Sequence, residues 1–175
     1  GLVFAILATR ILPPAVVALP IYLMAASSGL LDSRTSLIFT YTAANLPVAV
    51  WLLQPVFGAS ASDQEEAALI DGASWFRIFF SIAVPMAAAG IAATAALVFI
   101  LCWNEYLFAA FLTGSRAGTL PPFMIGQMSM REAQVSGEAE EWANLSAAAM
   151  VMVFPMVICG AMALRVLGRM ASRRS

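Results

Sequence analysis

Four long stretches of this chain are apolar on every face, and polar residues are confined to the connections between them. The runs cover about residues 2–26, 37–58, 82–112 and 142–164. Barrel strands alternate apolar and polar positions, and a surface helix of a soluble domain carries a polar stripe; these runs do neither. A helix of about 20 apolar residues, rising about 1.5 Å per residue, crosses a hydrocarbon core of about 30 Å with its backbone bonded internally. The pattern predicts an all-α membrane protein, a multi-span helical bundle with four spans visible. A turn at 27–36, a polar insert at about 59–81 and an external loop at about 113–141 join them.

Within the runs, Pro13-Pro14 and Pro20 predict that the first span is bent or broken, because proline frees carbonyls that need other partners. Asn45 and Pro47 interrupt the second run in the same way. Such devices occur in transporters and in membrane helices generally. Gly29 and Asp32 mark the segment from Ser27 to Ser36 as a short external turn.

The insert has its own start signal. Ser62-Asp63-Gln64-Glu65 fits a capping box, and Asp63, Glu65 and Glu66 set negative charge at the positive end of the helix dipole. Leu69, Ala73, Phe76 and Phe80 share a face if the helix continues, but Gly72 weakens it. The reading is two short coupling helices over about 62–81, jointed near Gly72. An element apolar on one face and acidic at its leading end suits docking on a soluble partner, since an anionic leaflet repels Asp63, Glu65, Glu66 and Asp71.

Composition agrees with a membrane solvent: 62% of residues are hydrophobic and 11% charged, against about 45–50% and about 25% in soluble domains. The residues that are missing exclude chemistry. With no lysine, all nine cations being arginine, the chain has no phosphate-binding loop and is not itself an ATPase. With no histidine, most triads and zinc sites go too, leaving no catalytic and no metal-ligating set. Cys102 and Cys159 lie in apolar runs and read as small hydrophobes. Nothing in the chain points to nucleic acid.

Arginines orient the bundle. If the insert faces the cytoplasm, Arg10, Arg77, Arg165, Arg169, Arg173 and Arg174 lie inside and Arg34, Arg116 and Arg131 outside, as the positive-inside bias favours. The chain starts at Gly1 in an apolar run without the charged region of a signal peptide, so the expectation is a missing upstream part containing an even number of spans.

The segment from Glu66 to Pro85 resembles the EAA loop of the membrane-spanning permeases of binding-protein-dependent ABC importers. That pattern is E-A-A, three residues, G, nine residues, I, one residue, L-P. Here it is met by Glu66-Ala67-Ala68, Gly72, Ile82 and Val84-Pro85, with valine for leucine as the one departure. Sugar-type members commonly have a second proline beyond Pro85, where this chain has Ala87-Ala88-Ala89. ATRILPPAVVALPIYLM, YTAANLPVAVWLL, WNEYLFA and TLPPF are similar to the carbohydrate-uptake branch, so the resemblance covers nearly the whole chain.

The resemblance implies six spans in a complete subunit, of which these are the last four. It implies a cytoplasmic ABC ATPase dimer, a second permease subunit and an extracytoplasmic solute-binding protein as partners, in the bacterial cytoplasmic membrane and its lipid. ATP and magnesium would sit on the ATPase. Glu66, Ala67, Ala68, Gly72, Ile82 and Pro85 would then form the ATPase-coupling loop, and Thr119, Leu120 and Pro121 would contact the binding protein. Asn104 and Glu105 read equally as pore lining or as an interfacial pair. The alternatives are an ion-gradient-driven secondary transporter or channel using Glu105, and an importer of a non-sugar solute such as glycerol phosphate.

Overall fold

Prolines decide how the first apolar run folds. A residue before proline is pushed out of the helical region, and two such residues follow one another: Leu12 has ψ 125° and Pro13 has ψ 133°. The 3-10 turn Thr9–Ile11 therefore stops, and helix α1 starts afresh at Pro14 as Pro14–Ser27, with proline in its first turn, where the missing N–H costs nothing. The computed structural model describes residues 6–58, 62–131 and 138–171. Among these residues every regular element is helical.

Gly29, at φ 66°, closes α1: its N–H bonds to Ala26 O at 3.2 Å, and that of Leu30 to Ala25 O at 2.8 Å, a Schellman cap. Helix α2 is Arg34–Gly58, and α3, Ser62–Ile70, is a short helix of the insert. The capping box at Ser62 rests on side chains outside the described residues. The one-turn helix α4, Trp75–Ile78, runs through a π turn, Phe79–Ala83, into α5, Val84–Trp103. Pro85 explains the wide turn, having no N–H for Ser81 O and a ring that crowds that carbonyl; the Val84 N–H instead reaches back to Phe79 O. After α5 come α6, Leu107–Leu112, α7, Leu120–Arg131, and α8, Glu138–Ala171.

Among the described residues three helices are long and apolar enough to cross a membrane: Arg34–Gly58, Trp75–Trp103 and Ser146–Arg165. The first run does not give a fourth such helix among the described residues. The Pro13-Pro14 break leaves α1 with 14 residues, about 21 Å at the helical rise, short of a core of about 30 Å. Two other boundaries move. The run at 82–112 is not one helix, because Asn104–Tyr106 break it before α6, and the loop at 113–141 contains α7. The second helix of the insert is the one-turn α4, which continues through the π turn into the third span.

Packing relies on small residues, as in lipid, where close backbone approach replaces hydrophobic drive. Helix α5 lies between α2 and α8, and α6 packs against α1 and α2. Gly90 brings α5 against α2 so closely that a Cβ there would lie 2.9 Å from Val56 Cβ. The buried core is at the opposite end from the insert, formed by Ala18 and Ala25 of α1, Leu37 of α2 and Phe108, Ala109 and Leu112 of α6. Leu23, Met24, Phe39 and Phe154 point outwards, as lipid permits.

Arg10 does not join the arginines at the insert end. Its Nη2 donates to Asn45 Oδ1 at 3.0 Å, and Asn45 stands in the body of α2, about 16 Å from Arg34 and about 20 Å from Gly58 at the helical rise. The break at Leu12 and Pro13 carries it there, a placement that counting charges along the chain does not reveal.

Candidate functional site

The two alanines of E-A-A are bonded through the backbone to the residues that flank Gly72. Gly72 has φ 79°, a conformation that glycine adopts without a Cβ penalty. This lets its N–H reach Leu69 O at 3.0 Å, while Ala73 N bonds to Ala68 O at 3.0 Å and Asp71 N to Ala67 O at 3.1 Å. Ala67 and Ala68 thus supply carbonyls to the cap that ends α3. Ser74 begins the next helix, its hydroxyl accepting the Arg77 N–H at 3.4 Å. The chain turns sharply between two helix ends.

Around this joint the apolar side chains project outwards. Ile70 is 87% exposed, Phe76 80% and Trp75 69%. Glu66, Ala67 and Asp71 are exposed beside them, while Ala68 and Ile82 are half-buried and Pro85 is exposed. Ile78 and Ala83 turn inwards, and Phe79 stacks on Phe57 of α2 with ring centroids 6.2 Å apart, fixing the joint to the second span. A rigid knuckle, greasy at its tip and acidic at its flank, is suited to insertion in a groove.

The opposite end is tied by two carboxylates. Both oxygens of Glu105 turn onto the helix that follows it, accepting Phe108 N at 2.8 Å and Ala109 N at 3.1 Å, so this side chain caps α6. Asn104 is exposed and its Nδ2 donates to Ile100 O and to Met156 Sδ, both at 2.9 Å. Trp103 Nε1 reaches Met152 O at 3.0 Å, tying α5 to α8.

Asp32 makes the second tie. Its carboxylate accepts N–H groups from Gly114 at 2.7 Å, Arg116 at 3.0 Å and Ala117 at 3.0 Å, and its own N–H donates to Leu112 O at 2.8 Å. The amides of Gly114, Ala117 and Arg116 hold this carboxyl below its ordinary value of 3.8, since they favour the charged form. Beyond it, Pro121 is buried and Thr119 and Leu120 are half-buried, whereas Ser115, Arg116, Gly118 and Phe123 are exposed. A cavity of about 810 Å³ lies between α6 and α7, with Tyr106, Thr113, Arg116, Thr119 and Phe123 on its walls.

The sequence gives Asp32 only as a turn residue and Arg10 only as a charge. The aspartate's need for φ 52°, tolerated by Asp among few residue types, is a signal visible only once the turn is seen. Among the described residues no three His, Cys, Asp or Glu side chains gather to hold a metal.

Known proteins share this chain's sequence over most of its length. An inner membrane ABC transporter permease protein of Escherichia coli, YcjP, is 33% identical over 147 residues, 83% of this chain and 50% of that protein. The trehalose/maltose transport system permease protein MalG of Thermococcus litoralis is 37% identical over 131 residues, 74% of this chain and 45% of its own length. The trehalose transport system permease protein SugB of Mycobacterium tuberculosis is 32% identical over 158 residues, 90% of this chain and 56% of its own. The chain spans about half the length of the curated relatives it matches. Residues 2–174 match the family described as the binding-protein-dependent transport system inner membrane component, and this multi-pass membrane chain belongs to that family.

Proposed function

We propose that the chain is part of a permease subunit of an ABC importer, lining the path of a sugar or sugar-like solute and coupling it to a separate ATPase. The observation that carries the reading is the knuckle at Gly72, with Ile70, Trp75 and Phe76 exposed at its tip and Glu66 and Asp71 beside them. A soluble partner with an apolar groove and a cationic rim fits that surface. The direct run from Trp75 into the third span gives a stiff lever, so a displacement of the knuckle is transmitted along α5. The family's description as binding-protein-dependent supports two partners, an ATPase dimer and an external solute-binding protein, with a second permease subunit completing the pore. ATP and magnesium belong to the ATPase in this scheme, as the chain has no lysine for a phosphate loop.

The names of relatives support the solute class: trehalose/maltose, trehalose and diacetylchitobiose transport systems are among them. At the outer end, the binding protein would meet Ser115, Arg116, Gly118 and Phe123, together with the accessible parts of Thr119 and Leu120, rather than buried Pro121.

The test uses the complete transporter. Glu66→Lys and Phe76→Ala are expected to reach the membrane at wild-type levels while retaining less ATPase on purification and importing less solute. Full ATPase recovery and full uptake in both variants would refute the docking role.

A further inference from the structure

We propose that Arg10 docks this chain on another membrane-spanning helix, one that carries an aspartate or glutamate at mid-depth. The inference goes beyond the solute path, and it rests on the importer reading only in needing further spanning helices around this chain.

Arg10 Nη2 is held by Asn45 Oδ1, 3.0 Å away, at the middle of a helix long enough to span. Asn45 is fixed in turn: it is 6% exposed, and its Nδ2 donates to Tyr41 O at 3.0 Å and to Cys102 Sγ at 3.3 Å. With the amide nitrogen committed to those acceptors, the carbonyl oxygen is left to take the arginine. An arginine that faces lipid turns its head towards the nearer interface. This one is kept from both.

The residue is nonetheless exposed, so the described helices hold the guanidinium at one corner without covering it. A guanidinium has five N–H donors. Among the described residues Arg10 makes one hydrogen bond, and no carboxylate pairs with it. A charge at this depth needs a partner or water, and the walls around it are poor in groups that hold water. Arg10 borders a cavity of about 380 Å³ lined by Leu12, Val17, Ile21 and Pro47 among others, with Thr9 and Thr40 as its other polar residues. The Thr9 hydroxyl is already turned back on Ile6 O, at 2.6 Å.

Depth and charge together name the partner. A carboxylate takes two parallel N–H bonds from the guanidinium fork, and such pairs are among the strong ones. Lipid phosphates lie at the two faces of a hydrocarbon core about 30 Å thick, so a headgroup does not reach the middle of α2. A side chain borne on a spanning helix does. A seat for that helix starts at the cavity: Leu12 is 56% exposed, and Val16, Leu19 and Leu23, at 61%, 57% and 57%, recur from it at spacings of four, three and four. That is one helical face, apolar along its length with the cation beside its first residue.

The test is made on the complete transporter in detergent, with the fraction of this chain recovered in the full complex as the readout. Arg10→Glu is expected to lower that fraction roughly tenfold, the scale of one charged hydrogen-bonded pair, Arg10→Gln less, and Arg10→Lys least. Each Asp and Glu in the transporter's other spanning helices is then changed to Arg, alone and together with Arg10→Glu. One such change is expected to lower recovery alone and to restore most of it in the pair, a coupling that a purely local role of Arg10 does not produce. Wild-type recovery of Arg10→Glu overturns the inference and turns the guanidinium towards a water-filled path or a solute anion. A loss that no acidic position rescues also overturns it, making Arg10 a tie to Asn45 alone. Both outcomes leave the importer reading intact. Recovery of the wild-type chain without an ATPase and without further spanning helices sinks that reading and this inference together.

Discussion

The Asp32 carboxylate and the Gly114 amide stand 82 positions apart in the chain and 2.7 Å apart in space. Arg116 and Ala117 donate to the same carboxylate, so one side chain gathers the start of the second span and the turn after α6. Charge-assisted bonds from N–H to carboxylate are the strong ones. The clamp therefore sets where α7 leaves the bundle.

Its pH dependence follows from the direction of the shift. The folded carboxyl is held below 3.8, so in acid the unfolded turn binds the proton more readily than the folded one. The stabilisation is complete above the unfolded value and is lost as pH falls through the folded one. Asp32→Asn keeps a residue that tolerates positive φ while removing the charge. Amide exchange at Gly114, Arg116 and Ala117 is expected to be faster in the variant at pH 6, with the difference closing as the pH falls through the lowered value of the folded carboxyl, where wild type is protonated too. Equal protection in both proteins at pH 6 would show that the clamp carries no stability.

The joint at Gly72 gives a graded series. No atom lies within 4 Å of where a Cβ would be added, so substitution there is a backbone effect without a clash. A β-branched side chain at φ 79° is costly, about 1–2 kcal/mol, and asparagine less so. ATPase recovery and uptake are expected to fall in the order wild type, Gly72→Asn, Gly72→Val, with membrane level unchanged. Equal activity across the series would separate the joint from coupling.

How much of this was legible depends on the distance over which the physics acts. The apolar runs and the break at Pro13-Pro14 are local, and so is the turn at Gly72, where a glycine follows a short acidic helix. The break after Trp103 is hidden because apolar residues continue on both sides of it, with Asn104 and Glu105 as faint markers. Helix α7 is hidden because TLPPF reads as loop, although prolines are well placed in a first helical turn. The Asp32 clamp and the Arg10 to Asn45 bond join residues far apart in sequence. No periodicity encodes such pairs, and counting arginines by segment does not reveal that Arg10 pairs with Asn45.

Glu105 is a helix cap in this fold, and substitution should reveal that role. Alanine strips acceptors from Phe108 N and Ala109 N, whereas glutamine keeps one neutral acceptor. Glu105→Ala is expected to cost about 1–2 kcal/mol, the upper part of the range for lost caps, and Glu105→Gln less. Thermal unfolding in detergent, followed by circular dichroism, should rank wild type above Gln and Gln above Ala. If Glu105 instead relays ions, both variants unfold like wild type and import depends on an ion gradient.

The contact between Gly90 and Val56 governs how closely the second and third spans approach. A methyl group at residue 90 meets the Val56 side chain, with its Cβ 2.9 Å away, and two spanning helices cannot yield as a flexible side-chain end would. Gly90→Ala is therefore expected to destabilise the protein by about 1–3 kcal/mol through overpacking. Val56→Ala should leave a small gap. The double variant places the new methyl where the valine branches were, so it should be more stable than the sum of the single effects predicts, by a coupling of about 0.5–3 kcal/mol. Unfolding midpoints of the four proteins in one detergent test this, and strict additivity would mean that the spans are not in contact at this level.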